Sequence, residues 1–193
     1  LASTASAAAC NPTPEPTGQV ARGVRDSAMH ENTTPRPPAA NDIRLRKLFD
    51  DTLAPPHWPE GFVMRAFEQR DAPALHALLE EVFDDGADGP FDEWWPRIAG
   101  DAEFDPALCF LAIDGKGLLA GAALCWTSGF VKDLAVHPES RRQGLGEALM
   151  RQVFLTFRER GATHVDLKTN SVKNTTAFRL YERLGMIPVG WEG

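Results

Sequence analysis

Residues 131–150 read VKDLAVHPESRRQGLGEALM: a short apolar run, a His137-Pro138 turn, the sequence Arg141-Arg142-Gln143-Gly144-Leu145-Gly146, and the start of a long periodic segment. From residue 144 to 160, Leu145, Leu149, Met150, Val153, Phe154 and Phe157 recur at helical spacing on one face, and Arg158, Arg160 and Gly161 supply an end. A strand therefore feeds a helix through a glycine-bearing turn. Glycines let the backbone approach an anion, while the unpaired N–H groups of the helix's first turn and its dipole point at the same place. Arg141 or Arg142 can add charge-assisted contacts. Such a turn is built to hold phosphate, although a plain strand-to-helix connection with solvated arginines has the same local pattern.

Outward from that turn, strands are expected at 62–67, 108–113, 118–126, 129–136, 163–168 and from 186 to 189, with helices at 72–83 and 91–98. Asp114-Gly115-Lys116-Gly117 is a hairpin turn, which makes the middle of the chain an antiparallel meander. Asn174 is expected to cap a helix that places Ala177, Leu180, Tyr181 and Leu184 on one face before Gly185 ends it. The fold class is α/β (α+β): a mixed, mainly antiparallel sheet with flanking helices in one domain, 60–193. Residues 1–59 read as a flexible Pro- and Ala-rich tail with a short amphipathic helix near 42–54, where Ile43, Leu45, Leu48, Phe49 and Leu53 precede Pro55-Pro56.

Two separated stretches are similar to one family. The strand Leu134-Ala135-Val136, the His137-Pro138 turn and the R-R-Q-G-L-G run resemble the coenzyme-A pyrophosphate loop of GNAT acetyltransferases. Asn174-x-x-Ala177-x-x-x-Tyr181-x-x-x-Gly185-Met186 resembles the family's helix that borders the pantetheine arm. The resemblance covers about 130 residues and implies acetyl coenzyme A as cosubstrate, held by Leu134, Ala135, Val136, Arg141, Arg142, Gln143, Gly144, Leu145, Gly146, Glu147, Asn174, Ala177 and Tyr181. It also implies an oxyanion site on the backbone near Leu134 and Ala135, at a bulge. In this family the last strand usually returns through a further strand, and none follows 186–189 here. Residues 101–113 also resemble the C-terminal half of mycothiol synthase-like acetyltransferases.

The implied chemistry is direct transfer of acetyl to a primary amine in a ternary complex. An alkyl ammonium with a pKa near 10.4 presents about one molecule in a few thousand as free amine at pH 7, so a base must take a proton. Asp133 is the candidate base, and the carboxylates around Asp84 to Glu93 are alternatives that otherwise form a solvated face or guide a cationic acceptor. The departing thiolate can be protonated by a nearby acid, and Tyr181, the single tyrosine in a chain with eleven Phe and five Trp, is the candidate. A core-facing aromatic would occupy the same helical position. Trp94 and Trp95 are expected either to wall the acceptor cleft or to pack in the core.

Charge narrows the partners. The net charge is −7, which opposes nucleic acid binding, and residues 1–59 carry six basic and six acidic side chains, so the excess lies in the domain. Residues 80–105 hold ten carboxylates against the single Arg97, a stretch that attracts cations and makes a cationic amine or a basic peptide a plausible acceptor. Three scattered cysteines and five scattered histidines form no metal pattern, and no metal is expected. No apolar run is long enough to cross a membrane, so a cytoplasmic monomer or homodimer without membrane contact is the expectation. A dinucleotide fold is the first rival, since Asp166 follows Gly146 by twenty residues, but Leu149 stands where its fingerprint needs a small residue. A non-catalytic acyl-coenzyme-A sensor is the second.

Overall fold

The computed structural model describes residues 41–190. In chain order these form β1 (Asp42–Leu48), β2 (Phe62–Ala66), α1 (Ala72–Phe83), α2 (Phe91–Ala99), β3 (Phe104–Asp114), β4 (Leu119–Trp126), β5 (Phe130–Val136), α3 (Leu145–Glu159), β6 (His164–Asn170), α4 (Thr175–Arg183) and β7 (Ile187–Val189). The expected hairpin joins β3 to β4: the Asp114 carboxylate accepts from the N–H groups of Lys116 and Leu118 at 2.9 and 2.8 Å, and Gly117 takes the left-handed φ of 82° that closes the turn. The meander β2-β3-β4-β5 is antiparallel throughout. β3 starts at Phe104, four residues before the expected strand, because the chain through Pro106 rejoins β4 across a register shift.

The seven strands form one sheet in the order β2-β3-β4-β5-β6-β1-β7. The segment 42–54 is therefore not an amphipathic helix. Residues 42–48 are a strand between β6 and β7, antiparallel to both, with Leu45 opposite Leu167 and Pro188. Its residues alternate: Leu45 is fully buried beneath α3 and α4, while Arg44 and Arg46 on the other face bind Asp166 at 2.6 and 2.7 Å. Tertiary pairing overrides the local helical spacing. The same observation moves the start of the ordered sheet from near residue 60 to Asp42, and β1 fills the place beside β7 where a returning strand was missed. The tail reading of residues 1–40 lies outside the described residues.

Two cores flank the sheet. On one face α3 and α4 bury Leu145, Leu149, Val153, Phe157, Tyr181 and Leu184 against Leu45, Val131 and Leu167, with Leu53 and Trp58 of the β1–β2 connection packed at the margin. On the other face α1 and α2 bury Leu75, Leu79, Trp94 and Ile98 against Leu111, Leu124 and Ala135. Gly121 lets α3 lie close on β4, since a Cβ there would meet the Ala135 carbonyl at 3.1 Å and Leu149 Cδ1 at 3.2 Å.

Candidate active site

β5 and β6 are the parallel pair at the centre of the sheet, and they stay together only at Phe130↔Asp166 and Val131↔Leu167. Beyond Val131 they part, and a cleft of about 1050 Å3 opens between β5, α3, β6 and α4. The order of the chain makes this gap: β5 leaves through the 138–140 turn into α3, which packs on the sheet before β6 returns. The cleft is reached by both stretches singled out in the sequence.

At one end lies the phosphate-type turn. A short 3₁₀ turn at Pro138–Ser140 is followed by Arg142 and Gly144 in the left-handed region, at φ 61° and 88°. α3 then begins at Leu145, and its first capping-distance bond is Ala148 N–H to the Gly144 carbonyl at 3.0 Å. The N–H groups of the preceding residues have no helical acceptor and lie where the dipole of a 15-residue helix favours an anion. Arg141 is fixed by a bond from Nε to the Val136 carbonyl at 3.0 Å. Gly146 faces Leu180 and Val136, which a Cβ would meet at 3.4 and 3.6 Å, so this glycine lets α3, β5 and α4 converge at the cleft. Glu147 lines the cleft and is tied to Arg151 one turn along.

The middle of the cleft is β5. His137 N–H donates to the Ala120 carbonyl at 2.9 Å, and in an antiparallel ladder such bonds recur at every second residue. With Ala122 opposite Ala135 and Leu124 opposite Asp133, the N–H groups of Ala135 and Asp133 turn towards β4, while those of Leu134 and Val136 turn into the gap left by β6. The bulge lies earlier than expected: Asp133 pairs with Leu124 and Val131 with Cys125, so Lys132 is the extra residue. Leu134 thus offers a donor to the cleft, whereas Ala135 has its N–H on β4 and its side chain buried. Gln143, exposed and directed at the Glu139 carbonyl, and Ala135 are the two expected cofactor contacts that do not line the cleft.

The far wall is α4. Asn174 stands at its N-cap position but makes no capping side-chain bond, contrary to the sequence expectation; its main chain instead bonds Asn170 and Phe178, and the residue lines the cleft. Ala177 and Tyr181 follow on the same face. Tyr181 is 7% exposed, and burial pushes its phenol up to about 12. Opposite, burial raises the Asp133 carboxyl above the usual carboxylate range, partly offset by Lys132, whose Nζ lies 2.6 Å from Oδ2; Asp88 and Asp85 in the segment after α1 push the same way as burial.

Of the ten carboxylates in 80–105, only Asp85 and Asp88 line the cleft. Asp105 is bound to Arg160 and Glu103 to Ser128. Trp94 is fully buried and Trp95 packs on Phe67 and Phe104, so both belong to the core. Asp166, the acid of the dinucleotide rival, is engaged by two arginines. Sequence reasoning missed Lys132, Lys168, Thr169 and Lys173, which also line the cleft; the adjacent Lys132-Asp133 charges were its one local signal. Among the described residues no group of three or more His, Cys, Asp or Glu side chains could hold a metal, and no helix is long and apolar enough to cross a membrane.

A mixed sheet splayed at its centre, with a glycine-bearing turn on one side of the split and the helix α4 on the other, defines a cofactor-cleft fold rather than a Rossmann half. The chain belongs to the Acetyltransferase (GNAT) family, whose model matches residues 53–186. It is similar to mycothiol acetyltransferase of Thermobispora bispora, 36% identical over 74% of this chain and 52% of that protein. It is also similar to streptothricin acetyltransferase of Streptomyces lavendulae, 32% identical over 65% of this chain and 63% of the relative. Among solved structures, a GCN5-related N-acetyltransferase from Sphaerobacter thermophilus superposes with a TM-score of 0.69 at 29% identity, covering 77% of this chain and 48% of that one. The chain spans about half the length of the first and last of these.

Proposed function

We propose that this chain transfers acetyl from acetyl coenzyme A to a primary amine of a small cationic molecule or peptide, by direct attack in a ternary complex. The observation that carries the proposal is the convergence, at one split in the sheet, of an anion-binding turn, an unpaired Leu134 N–H, a buried carboxylate and a buried phenol. The turn at 141–147 holds the pyrophosphate, and Asn174 and Ala177 border the pantetheine arm. The thioester carbonyl lies against Leu134 N–H, whose hydrogen bond strengthens as the oxyanion forms; loss of such a donor costs about 3–4 kcal/mol in enzymes that rely on one.

Asp133 takes the ammonium proton, and its raised pKa brings it closer to the range in which a base both is ionised and holds a proton well. The acceptor nitrogen then attacks the carbonyl carbon, the C–S bond breaks, and the thiolate leaves. Tyr181 stays a neutral phenol throughout the working range. Full proton transfer from a phenol near 12 to a thiolate near 8.5 is about 3.5 pKa units uphill, so Tyr181 stabilises the leaving sulfur chiefly by donating a hydrogen bond. Asp85 and Asp88 beside Asp133 favour a cationic acceptor. The two named relatives carry the names of different acceptors, so neither acceptor is transferred to this chain. A cytoplasmic location accompanies this reading. The absence of a returning strand after 186–189 would have favoured the second rival, a non-catalytic sensor, but β1 lies beside β7, between it and β6.

The test is release of free thiol from acetyl coenzyme A over a panel of amines. Acceptor-dependent turnover is expected, with kcat falling about tenfold or more in Tyr181→Phe and about 10²-fold or more in Asp133→Asn while coenzyme-A affinity holds. Because the Asp133 pKa is raised, kcat/KM rises with pH along an acid limb that lies above the ordinary carboxylate range. Tight coenzyme-A binding without turnover for any amine would restore the sensor.

A further inference from the structure

Lys132 has no part in the chemistry above, yet it is the side chain closest to the proposed base. In a regular strand, residues 132 and 133 would point to opposite faces of the sheet. The bulge breaks that alternation and brings Lys132 Nζ to 2.6 Å from Asp133 Oδ2, inside the cleft, with the two side chains 25% and 15% exposed. An alkyl ammonium hydrogen-bonded to the base is the arrangement an incoming acceptor must itself adopt before it loses its proton.

The charges around the pair fit that role. Asp85 and Asp88, from the segment after α1, line the same cleft and act on Asp133. Arg97 is directed at Asp88, with Nη2 3.1 Å from its carbonyl and 3.9 Å from its carboxylate. On β3 and β4, burial holds Cys109 and Cys125 protonated, so they add no charge. The other cations of the cleft, Arg141, Arg142, Lys168, Lys173 and Arg183, belong to the anion turn, β6 and the α4 wall.

We propose that Lys132 is an internal surrogate for the acceptor's ammonium group: it occupies Asp133 in the resting cleft and yields that place to a cationic acceptor. This rests on the acetyl-transfer reading for the identity of the site. Its consequence is specificity. An acceptor has to displace a primary ammonium from a carboxylate, which a neutral molecule cannot do, and a second positive charge on the acceptor gains Asp85 and Asp88 as Lys132 swings out on its flexible four-carbon stem. While in place, Lys132 also keeps Asp133 ionised against the cost of burial. Lys132 is a positioning and selecting residue, without contact to the acetyl group.

The experiment compares the native chain with Lys132→Met and Lys132→Arg, using spermidine as the probe cation and coenzyme A bound in every case. Calorimetric affinity is measured at mildly alkaline pH, which favours the ionised Asp133 in each protein. Lys132→Met is expected to bind spermidine about fivefold more tightly, as removal of a partly exposed competing ion pair implies, with coenzyme-A affinity unchanged. Lys132→Arg is expected to bind like the native chain. In thiol-release assays, Lys132→Met lowers KM for the amine, and the acid limb of its kcat/KM profile moves to higher pH, because Asp133 without its cation holds its proton longer. Spermidine affinity that is unchanged, weaker or undetectable in Lys132→Met overturns the proposal, whether or not turnover is observed. Tighter binding without turnover in any protein keeps the surrogate and removes the acetyl-transfer reading instead.

Discussion

From β3 to β5 each strand pairs with its chain neighbour, whereas β6, β1 and β7 are gathered from opposite ends of the described chain: Asp166 of β6 binds Arg44 and Arg46 across 122 and 120 residues. The first region is held by turns, such as the Asp114–Leu118 hairpin, and by continuous buried runs, 108–112 of β3 and 120–125 of β4, whose partners are nearby. The second is held by Leu45 of β1 packed with the buried Val165 and Leu167 of β6, and by a carboxylate that two guanidiniums share. Local regions tolerate small errors in any one contact. The distant region concentrates its cohesion in a few.

That contrast can be broken first at Leu45. Leu45→Ala removes a side chain buried between α3, α4 and two neighbouring strands and is expected to lower unfolding free energy by about 3 kcal/mol in a urea titration; Leu45→Asp is expected to leave no cooperative transition. Next comes Asp166→Ala, with a loss of about 2–3 kcal/mol, since two partly buried arginines lose their acceptor. Burial works to raise the Asp166 pKa, but the hydrogen bonds from Arg46 and Arg44 outweigh it and hold the group below the usual range. A depressed folded-state pKa contributes stability that is complete above the unfolded value, near 3.9, and is lost as pH falls through the folded one. Stability curves of the native chain should therefore converge on those of Asp166→Ala in strong acid, part as pH rises through the lowered folded pKa, and be fully separated above about pH 4. The smallest effect is expected in the local half: Leu118→Ser at the exposed hairpin, with Leu118 62% exposed, should change stability by no more than about 0.5 kcal/mol.

The same contrast explains what the sequence could reveal. The meander, α3 and the anion turn were legible because glycines, turn carboxylates and helical periodicity act within a few residues of themselves. β1 was not. Leu45, Leu48, Phe49 and Leu53 satisfy a helical spacing, and only the distant Leu167, Asp166 and Pro188 make Arg44-Leu45-Arg46 an alternating strand. At the site, Tyr181, Leu134 and Asn174 do reach the cleft, but the Lys132–Asp133 contact depends on how β5 slips against β4, a register that neither strand carries alone. Asn174 shows the converse: a good capping residue at the capping position whose side chain nevertheless makes no cap.

The position of β1 also bears on how the molecule is made. A ribosome delivers β1 before any other described strand, but both of its neighbours, β6 and β7, emerge last. Until β6 is available β1 can only wait with two unsatisfied edges, its second edge waits further for residue 189, and the loop that must close to seat it spans about 120 residues. High contact order of this kind slows folding and leaves a strand open to pairing with other chains in the interval. The charged residues Arg44, Arg46 and Lys47 are then protection as well as structure: they discourage β1 from recruiting a stranger's edge before its own partners arrive.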